Sequence, residues 1–341
     1  MSAAVGGFRG LRALAGCGGC AAKAPPELVD LLTGFAARSG GQDPNVLVGL
    51  APFDDAAVYA IDADRALIAT VDFFPPLVDA PRDYGAIAAA NAVSDVYAMG
   101  GEVAFALAVS GFPAEVPPQV IADVTAGAVD VLADCGALLL GGHSVRCAEP
   151  VFGLAVLGFV DPARIWRKSG AREGDVLMLS KPLGSGLLLS SGRPEELATA
   201  TDMMRRTNRA AAQALRALPQ APRAVTDVSG YGLLGHALEI AVQSGVVLDL
   251  DTAALPCLPA AIEAAARGVR TSAHRAASDV DARVRIGAGV AACRLALLHD
   301  PQTSGGLLAA VDAGSVGALR AAGYVPVGTI RTGGDGGVEL R

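Results

Sequence analysis

Hydrophobic residues recur along this chain with helical and with strand spacing in alternation. The segment 25–39 carries leucines at helical spacing and opens with two prolines, which are favoured in the first turn of a helix. The runs 56–61 and 66–71 are strand-like and are separated by a short polar turn. From Asp83 to Met99 the chain is predicted to form an alanine-rich helix that ends before two glycines.

The same mixture of elements continues towards the C-terminus. Further elements are predicted at 103–109 (strand), 118–134 (helix), 137–140, 151–160 and 175–180 (strands). Because strands often follow one another without a helix between them, the pattern favours a two-domain α+β fold over a regular parallel barrel. The length of 341 residues allows two domains. We predict an arm at 1–24, a first domain at 25–163 and a second domain at 164–341.

Charge and composition narrow the function classes. Lys+Arg number 27 against 34 Asp+Glu, a net charge of −7 without basic runs, which argues against nucleic acid and anionic membranes as partners. The longest apolar stretch, 151–160, is too short to cross a bilayer and fits a buried strand. A targeting peptide is the alternative for the N-terminal residues, but they lack its continuous apolar core. Six cysteines in so long a chain do not form a disulfide framework, so a cytoplasmic location is expected.

Four aspartates stand at turns or strand ends. Asp54 and Asp55 precede a predicted strand, and Asp72 ends the next one. Asp227 ends a strand in the second half of the chain. Aspartate also caps helices and begins turns, so each of these residues alone has an ordinary structural explanation.

The alanine-rich helix adds two more side chains with oxygen ligands. Asn91 and Asp95 are four residues apart and therefore share one face of that helix. Carboxylates that converge repel one another unless a cation lies between them. Because Mg²⁺ prefers oxygen ligands and bridges to phosphates, the acids as a set indicate a Mg²⁺-dependent enzyme that cleaves ATP.

Two small-residue segments are candidate phosphate-binding loops. The segment 141–144, Gly-Gly-His-Ser, follows a predicted strand, and the segment 301–306, Pro-Gln-Thr-Ser-Gly-Gly, precedes another. Backbone N–H groups in such loops can hold phosphate oxygens. The P-loop pattern GxxxxGK[ST] is absent from the sequence, and plain turns are the alternative.

A glycine pattern in mid-chain suggests a different function. Gly230, Gly232 and Gly235 spell GxGxxG between a short strand and a helix, and Asp249 and Asp251 follow near the position of a ribose-binding acid. A nicotinamide or flavin enzyme is therefore an alternative. The charged end of the preceding strand and the position in mid-chain argue against it.

The arm carries the remaining chemistry. Cys17 and Cys20 form a CxxC, which is typical of a redox pair or of half a zinc site. Zinc is disfavoured because a second CxxC is missing. Lys23 follows Cys20 at a spacing where its ammonium can favour the thiolate. A leader without function is the alternative.

The ordered set of motifs resembles selenophosphate synthetase (selenide, water dikinase), a family of the aminoimidazole-ribonucleotide-synthetase-like superfamily. The segments that carry the resemblance are GCGGCAAKAPPEL, DDAAVY, TVDFFPPLVDAP, NAVSDVYAMGG, GGHS, EPVFGLAVLGF, KPLGSG, TDVSGYGLLGH and DPQTSGGLL. The resemblance implies conversion of ATP, selenide and water into selenophosphate, AMP and orthophosphate. It also implies a two-domain α+β fold whose N-terminal domains pair into a homodimer, and it explains the glycine pattern without a dinucleotide.

The resemblance gives roles to particular residues. Cys20 and Lys23 take the places of the catalytic cysteine and lysine. The implied Mg²⁺ ligands are Asp55, Asn91, Asp95 and Asp227. The implied nucleotide contacts are Lys23, Pro52, Phe53, Asp54, Asp72, Asp95, Gly142, His143 and Ser144. The segment 270–279 departs from the family pattern, so no contact is assigned to it.

Several questions stay open. The sequence sets neither the selenium donor, which is free selenide or a delivery protein, nor a requirement for K⁺. One rival function is another enzyme of the superfamily, acting on a purine-pathway amide or on thiamine phosphate; Cys20 and Lys23 argue against it. The other rival is an inactive nucleotide-binding relative, against which the intact acids Asp55, Asp95 and Asp227 argue.

Overall fold

Two mixed sheets, each formed by one half of the chain, organise the protein. The structure is a computed structural model that describes residues 10–15, 35, 43–271 and 280–341. The predicted helix at 25–39, apart from residue 35, lies outside the described residues, as do Cys17, Cys20 and Lys23.

The first sheet has six strands in the order β1-β2-β3-β6-β4-β5. Its strands are β1 (Val46–Val48), β2 (Ala57–Ala60), β3 (Ala66–Phe74), β4 (Glu102–Phe112), β5 (Leu138–Arg146) and β6 (Val151–Val160). Neighbours are antiparallel except β4 and β5, which are parallel. Alternate residues of β3 are buried and exposed, so one face of the sheet is covered and the other is open.

Helices α1 (Pro81–Ala98) and α2 (Pro118–Asp134) pack against this sheet and against each other. Small residues allow their close approach, since a Cβ atom added at Gly85 would lie 1.7 Å from the carbonyl oxygen of Val124. Both helices begin with proline, which is favoured in the first turn, and α1 begins two residues before its predicted start at Asp83. Because α1 is buried on nearly every side, alanine is the residue that fits there.

The second sheet has seven strands in the order β10-β13-β9-β12-β7-β11-β8. Its strands are β7 (Val176–Leu179), β8 (Ala224–Asp227), β9 (Val246–Leu250), β10 (Val284–Ile286), β11 (Leu307–Val311), β12 (Val325–Thr332) and β13 (Gly337–Leu340). Its helices are α3 (Ser185–Ser191), α4 (Pro194–Met204), α5 (Arg209–Arg216), α6 (Gly232–Ser244), α7 (Ala261–Ala266), α8 (Ala292–Leu298) and α9 (Val316–Ala321). Edge strand β8 packs against α1 of the first half, which brings the two halves together where Asp227 ends the strand.

One expectation needs correction. The segment 141–144 is not a loop but the middle of β5, because the long strand β4 offers a parallel partner as far as Arg146.

Residues 10–15 of the predicted arm pack against the first domain. The apolar Leu11 is fully buried, and the backbone N–H of Arg12 donates to Asp79 Oδ1 at 3.1 Å.

The GxGxxG pattern has a packing explanation. Gly232 begins α6 with φ +69°, and an added Cβ would lie 2.7 Å from the carbonyl oxygen of Leu298 at the end of α8. Asp249, which the dinucleotide alternative places near a ribose, instead pairs with Arg331 at 3.2 Å and Arg341 at 3.1 Å. These contacts account for the motif without a cofactor.

Within the described residues, none of the helices has the length and apolar character needed to span a bilayer.

Candidate functional site

Asp95 lies at the centre of an acidic cluster between the two halves of the chain. We use this name, the acidic cluster, for Asp55, Asp72, Asp95 and Asp227. The hydroxyl of Thr70 on β3 donates to Asp95 Oδ2 at 2.5 Å. Burial, followed by the charges of the other three aspartates, raises the pKa of Asp95 well above its ordinary value. The cluster is therefore unfavourable for negative charge unless a cation compensates it.

Asp227 enters the cluster from the second half through a bond to α1. Ser94 Oγ donates to Asp227 Oδ2 at 2.7 Å, and the Asp227 side chain is buried. Asn208 Nδ2 in turn donates to Ser94 Oγ at 2.8 Å and to the carbonyl oxygen of Gly305 at 2.8 Å. This chain of bonds fixes a carboxylate of one half against a helix of the other.

Asp55 joins the cluster from the turn before β2. Its Oδ1 accepts bonds from Thr226 Oγ1 at 2.9 Å and from Lys168 Nζ at 3.0 Å. Its Oδ2 is buried and has no hydrogen-bond partner among the described residues. Burial raises the pKa of Asp55 to about 8, because the lowering effect of Lys168 does not offset burial and the charges of Asp227 and Asp54.

Asn91 connects Asp72 with the loop 301–306. Asn91 Nδ2 donates to Asp72 Oδ2 at 2.8 Å, and the backbone N–H of Ser304 donates to Asn91 Oδ1 at 2.8 Å. The segment 301–306 is a loop, as the sequence predicts, and it reaches α1 of the first half. Asn91 therefore orients Asp72 and ties the halves together.

Lys168 lies beside the cluster in a buried ion-pair chain. Its Nζ contacts Glu239 Oε2 at 2.8 Å as well as Asp55, and it lies 5.2 Å from the centre of the Phe53 ring. His236 Nδ1 shares a hydrogen bond with Glu239 at 3.0 Å. Burial alone would raise the pKa of Glu239, but His236 and Lys168 lower it to about 2.

The residues that the resemblance implies as nucleotide contacts do not all lie at the acidic cluster. Asp54 lies beside the cluster and accepts from the backbone N–H of Lys168 at 3.0 Å. Pro52 and Phe53 lie exposed on the same turn. The residues Gly142, His143 and Ser144 are exposed on edge strand β5, which is separated from β3 by β6 and β4. One chain therefore does not bring this strand to the acidic cluster.

The aspartate oxygens are engaged by protein donors. In the part of the chain that the structure describes, no three His, Cys, Asp or Glu side chains form a group that could hold a metal ion as placed. In this arrangement Thr70, Ser94 and Lys168 each contact one oxygen of the three predicted ligands. The carboxylates are brought together, and Mg²⁺ binding by them stays a prediction.

The sequence interpretation missed the donors around the acids. Ser94 is within the helix motif and one residue before Asp95, so its position offered a signal. Thr70 also offered one, because it shares a face of β3 with Asp72. Lys168 and Asn208 lie in segments without a motif, and nothing in their spacing pointed to the site.

Two aspartates with buried side chains, Asp55 of the acidic cluster and Asp300 next to the loop 301–306, predict an unusual pH dependence of stability. In Mg²⁺-free buffer, the free energy of unfolding is expected to fall between about pH 5 and pH 7. The pKa values of Asp55 and Asp300 are raised by burial to about 8 and about 7, so the native state keeps protons that the unfolded chain has released. Stability is then fully present below the unfolded pKa and is lost as pH rises, by about 1.4 kcal/mol per pH unit for each group.

Urea unfolding in EDTA at several pH values would measure this slope. Asp55→Asn is expected to reduce it by removing one of the buried carboxyl groups whose pKa is raised. Equal slopes in both proteins, or a stability that rises with pH over this interval, would contradict the prediction.

Comparisons with known proteins identify the family of the chain. Residues 53–160 match the family described as "AIR synthase related protein, N-terminal domain", and residues 172–340 match its C-terminal domain. A "Selenide, water dikinase" from Burkholderia pseudomallei is 46% identical over 314 residues, covering 88% of this chain and 86% of the relative. Another from Myxococcus xanthus is 41% identical over 324 residues, covering 92% of this chain and 91% of the relative.

Solved structures share the fold at lower identity. "AaThiL complexed with AMPPCP and TMP" has a TM-score of 0.69 at 20% identity, covering 93% of this chain and 95% of that chain. "Hydrogenase Maturation Protein HypE in complex with ATP" has a TM-score of 0.62 at 17% identity, covering 89% and 90%. They confirm the two-domain α+β fold, and the sequence relatives confirm the predicted family. The chain belongs to the selenide, water dikinase family of AIR synthase related proteins.

Proposed function

We propose that this protein is a selenophosphate synthetase that converts ATP, selenide and water into selenophosphate, AMP and orthophosphate at the acidic cluster. One observation carries the proposal. In this member of the selenide, water dikinase family, carboxylates from both halves of the chain lie close enough to Asp95 for their charges to raise its pKa. Such a cluster is costly without a cation and useful with one, because a polyphosphate brings further negative charge.

Mg²⁺ fits the donors of the cluster. Asp55, Asp95 and Asp227 offer hard oxygen ligands, with Asn91 beside them, and Asp55 Oδ2 is a buried oxygen without a partner among the described residues. When bound, Mg²⁺ would neutralise phosphate charge at this site. A requirement for K⁺, a selenium-delivery protein and the cytoplasmic location stay predictions.

The surrounding residues hold the carboxylates in place. Ser94 keeps Asp227 against α1, and Thr70 orients Asp95. Asn91 fixes Asp72 while it binds the loop that contains Ser304. Preorganised groups of this kind lower the barrier because little reorganisation is left for the reaction step.

The arm completes the proposed site. Cys20 and Lys23 lie outside the described residues, so their roles rest on the sequence. Lys23 would add positive charge at the phosphates, and Cys20 would hold or guide selenium. Closure of the arm would exclude water, which must attack only the second phosphate, and would protect selenide from oxidation.

Phosphorus NMR of an anaerobic reaction tests the function. With ATP, Mg²⁺ and selenide, we expect signals of selenophosphate, AMP and orthophosphate in equal amounts. Omission of selenide should remove the selenophosphate signal. ADP as the nucleotide product would support another enzyme of the superfamily, and absence of ATP turnover would support an inactive relative.

We also propose the homodimer implied by the family, formed through the open face of the first sheet. Large apolar side chains are exposed on its strands, among them Val71 and Phe73 at 53% each and Leu138 at 63%. Apolar surface of this extent on neighbouring strands is typical of an interface. In one chain β5 is separated from β3 by two strands. Pairing through the open face would bring β5 of one protomer against the partner protomer.

Val71→Asp is expected to convert the dimer into a monomer, because a charge would be buried in the apolar interface. Sedimentation velocity over a range of protein concentrations would measure the change. Val129→Asp is the matched control, since Val129 is 42% exposed but lies on α2. A wild-type protein that is monomeric at all concentrations, or equal effects of both substitutions, would contradict this interface.

A further inference from the structure

Lys168, a residue of the second half, joins Asp55 of the first half to Glu239 of its own half. Its side chain is 4% exposed, and its Nζ lies 3.0 Å from Asp55 Oδ1 and 2.8 Å from Glu239 Oε2. Its backbone N–H also donates to Asp54 Oδ2 at 3.0 Å. Buried ammonium groups are expensive to desolvate, so a lysine in this position requires a reason beyond solubility.

The charges around the three predicted metal ligands point to that reason. Thr70 donates to Asp95, Ser94 to Asp227 and Thr226 to Asp55, and all three donors are neutral. Among hydrogen-bonded donors to these three aspartates in the described residues, Lys168 alone carries a charge. Among the described residues, these three aspartates therefore have one directly bound cation, Lys168.

The bond to Glu239 on α6 lies within the second half, to which residue 168 itself belongs. The bond to Asp55 is the one that crosses to the first half. The second bond occupies one oxygen of Asp55 and leaves the other, Oδ2, buried and without a partner among the described residues. The charges of Asp227 and Asp54 also act on Asp55, so a second cation at this carboxylate would be stabilised.

We propose that Lys168 is a positioning residue of the reaction and that its ammonium is the resident counter-cation of Asp55. The ammonium holds this carboxylate in the cluster before Mg²⁺ binds, and it competes with Mg²⁺ for the carboxylate. This inference rests on the proposed function, because it takes Asp55 as a ligand. Lys168 then sets the Mg²⁺ concentration at which the enzyme becomes active. Without it, the empty cluster is less stable and binds Mg²⁺ more tightly.

Lys168→Gln in the full-length protein tests the proposal. Melting temperatures are compared in EDTA and in Mg²⁺, with ionic strength matched by NaCl. We expect Lys168→Gln to melt lower than wild type in EDTA and to gain more from Mg²⁺. The Mg²⁺ concentration for half-maximal AMP release should fall about five-fold or more.

Two further variants separate charge from packing. Lys168→Arg keeps the positive charge and is expected to restore the wild-type response to Mg²⁺. Glu239→Gln removes the other partner of Lys168 without touching the cluster, so it should lower the melting temperature equally with and without Mg²⁺. A structural role for Lys168 would make Lys168→Gln behave like Glu239→Gln, and that result would overturn the proposal.

A double variant covers the case in which Lys168→Gln does not fold. Lys168→Gln with Asp55→Asn removes both charges, so we expect it to fold in EDTA and to lose the gain from Mg²⁺. Failure of the double variant to recover would overturn the counter-cation role. If Mg²⁺ stabilises wild type and Lys168→Gln alike, only this inference fails. Absence of any Mg²⁺ response in wild type would overturn the metal assignment as well.

Discussion

Asp95→Asn is expected to slow selenophosphate formation by about 10²–10³-fold while raising the melting temperature of the Mg²⁺-free protein. Asparagine has nearly the same shape as aspartate, so the bond with Thr70 can persist while the charge is lost. Burial and three neighbouring carboxylates make ionised Asp95 unfavourable in the folded state, which is why its pKa is raised. Removing the charge therefore relieves repulsion and removes a proposed Mg²⁺ ligand at the same time.

The two effects are measured separately. Steady-state AMP release at saturating Mg²⁺ gives the rate, and thermal unfolding in EDTA gives the stability. Asp202→Asn is the matched control, because Asp202 is exposed on α4 and should change neither quantity. Normal activity, or a loss of stability in EDTA, would show that Asp95 is a structural residue instead.

Local patterns were enough to predict most of the first half. Helix α1 was recognisable from the alanine run between Pro81 and Gly100, because a helix surrounded by other elements has room only for small side chains. The strand β6 was predicted at its observed bounds, because its apolar run is too short to cross a bilayer and fits a buried strand. Both features depend on residues that are close in the sequence, so the sequence pattern is enough to predict them.

The acids of the site were also predicted, but their donors were not. Ser94 and Asp227 are 133 residues apart, and their bond exists only because β8 docks against α1. Lys168 and Asp55 are likewise brought together by the contact between halves. Segment 141–144 was predicted as a loop because glycine and serine favour turns, whereas its pairing with β4 is set by the sheet.

The site combines carboxylates that repel one another with hydrogen-bond donors that hold them in place. Neutral hydroxyl and amide groups orient the aspartates, yet they do not remove the negative charge that burial makes unfavourable. A cation and a polyphosphate together resolve this conflict better than either alone, because each compensates the other. Binding energy is therefore available where ATP must be placed, at the junction of the two halves.

Cys20→Ser is expected to reduce selenophosphate formation by about 10²-fold, since loss of selenium positioning near the phosphorus removes the advantage of proximity. Serine is close in size to cysteine but is a poor partner for selenium. ATP binding should be unchanged, because Cys20 is not among the implied nucleotide contacts and Lys23 of the same arm is retained. Phosphorus NMR with selenide measures the product, and a fluorescent ATP analogue measures the affinity.

Cys17→Ser provides the matched control within the same arm. The spacing of two residues between Cys20 and Lys23 is what favours a thiolate at position 20, and Cys17 lacks that spacing. Cys17→Ser is therefore expected to retain most of the activity. Equal losses in both variants would indicate a CxxC redox pair instead. Full activity of Cys20→Ser would remove the cysteine from the mechanism and leave Lys23 as the functional residue of the arm.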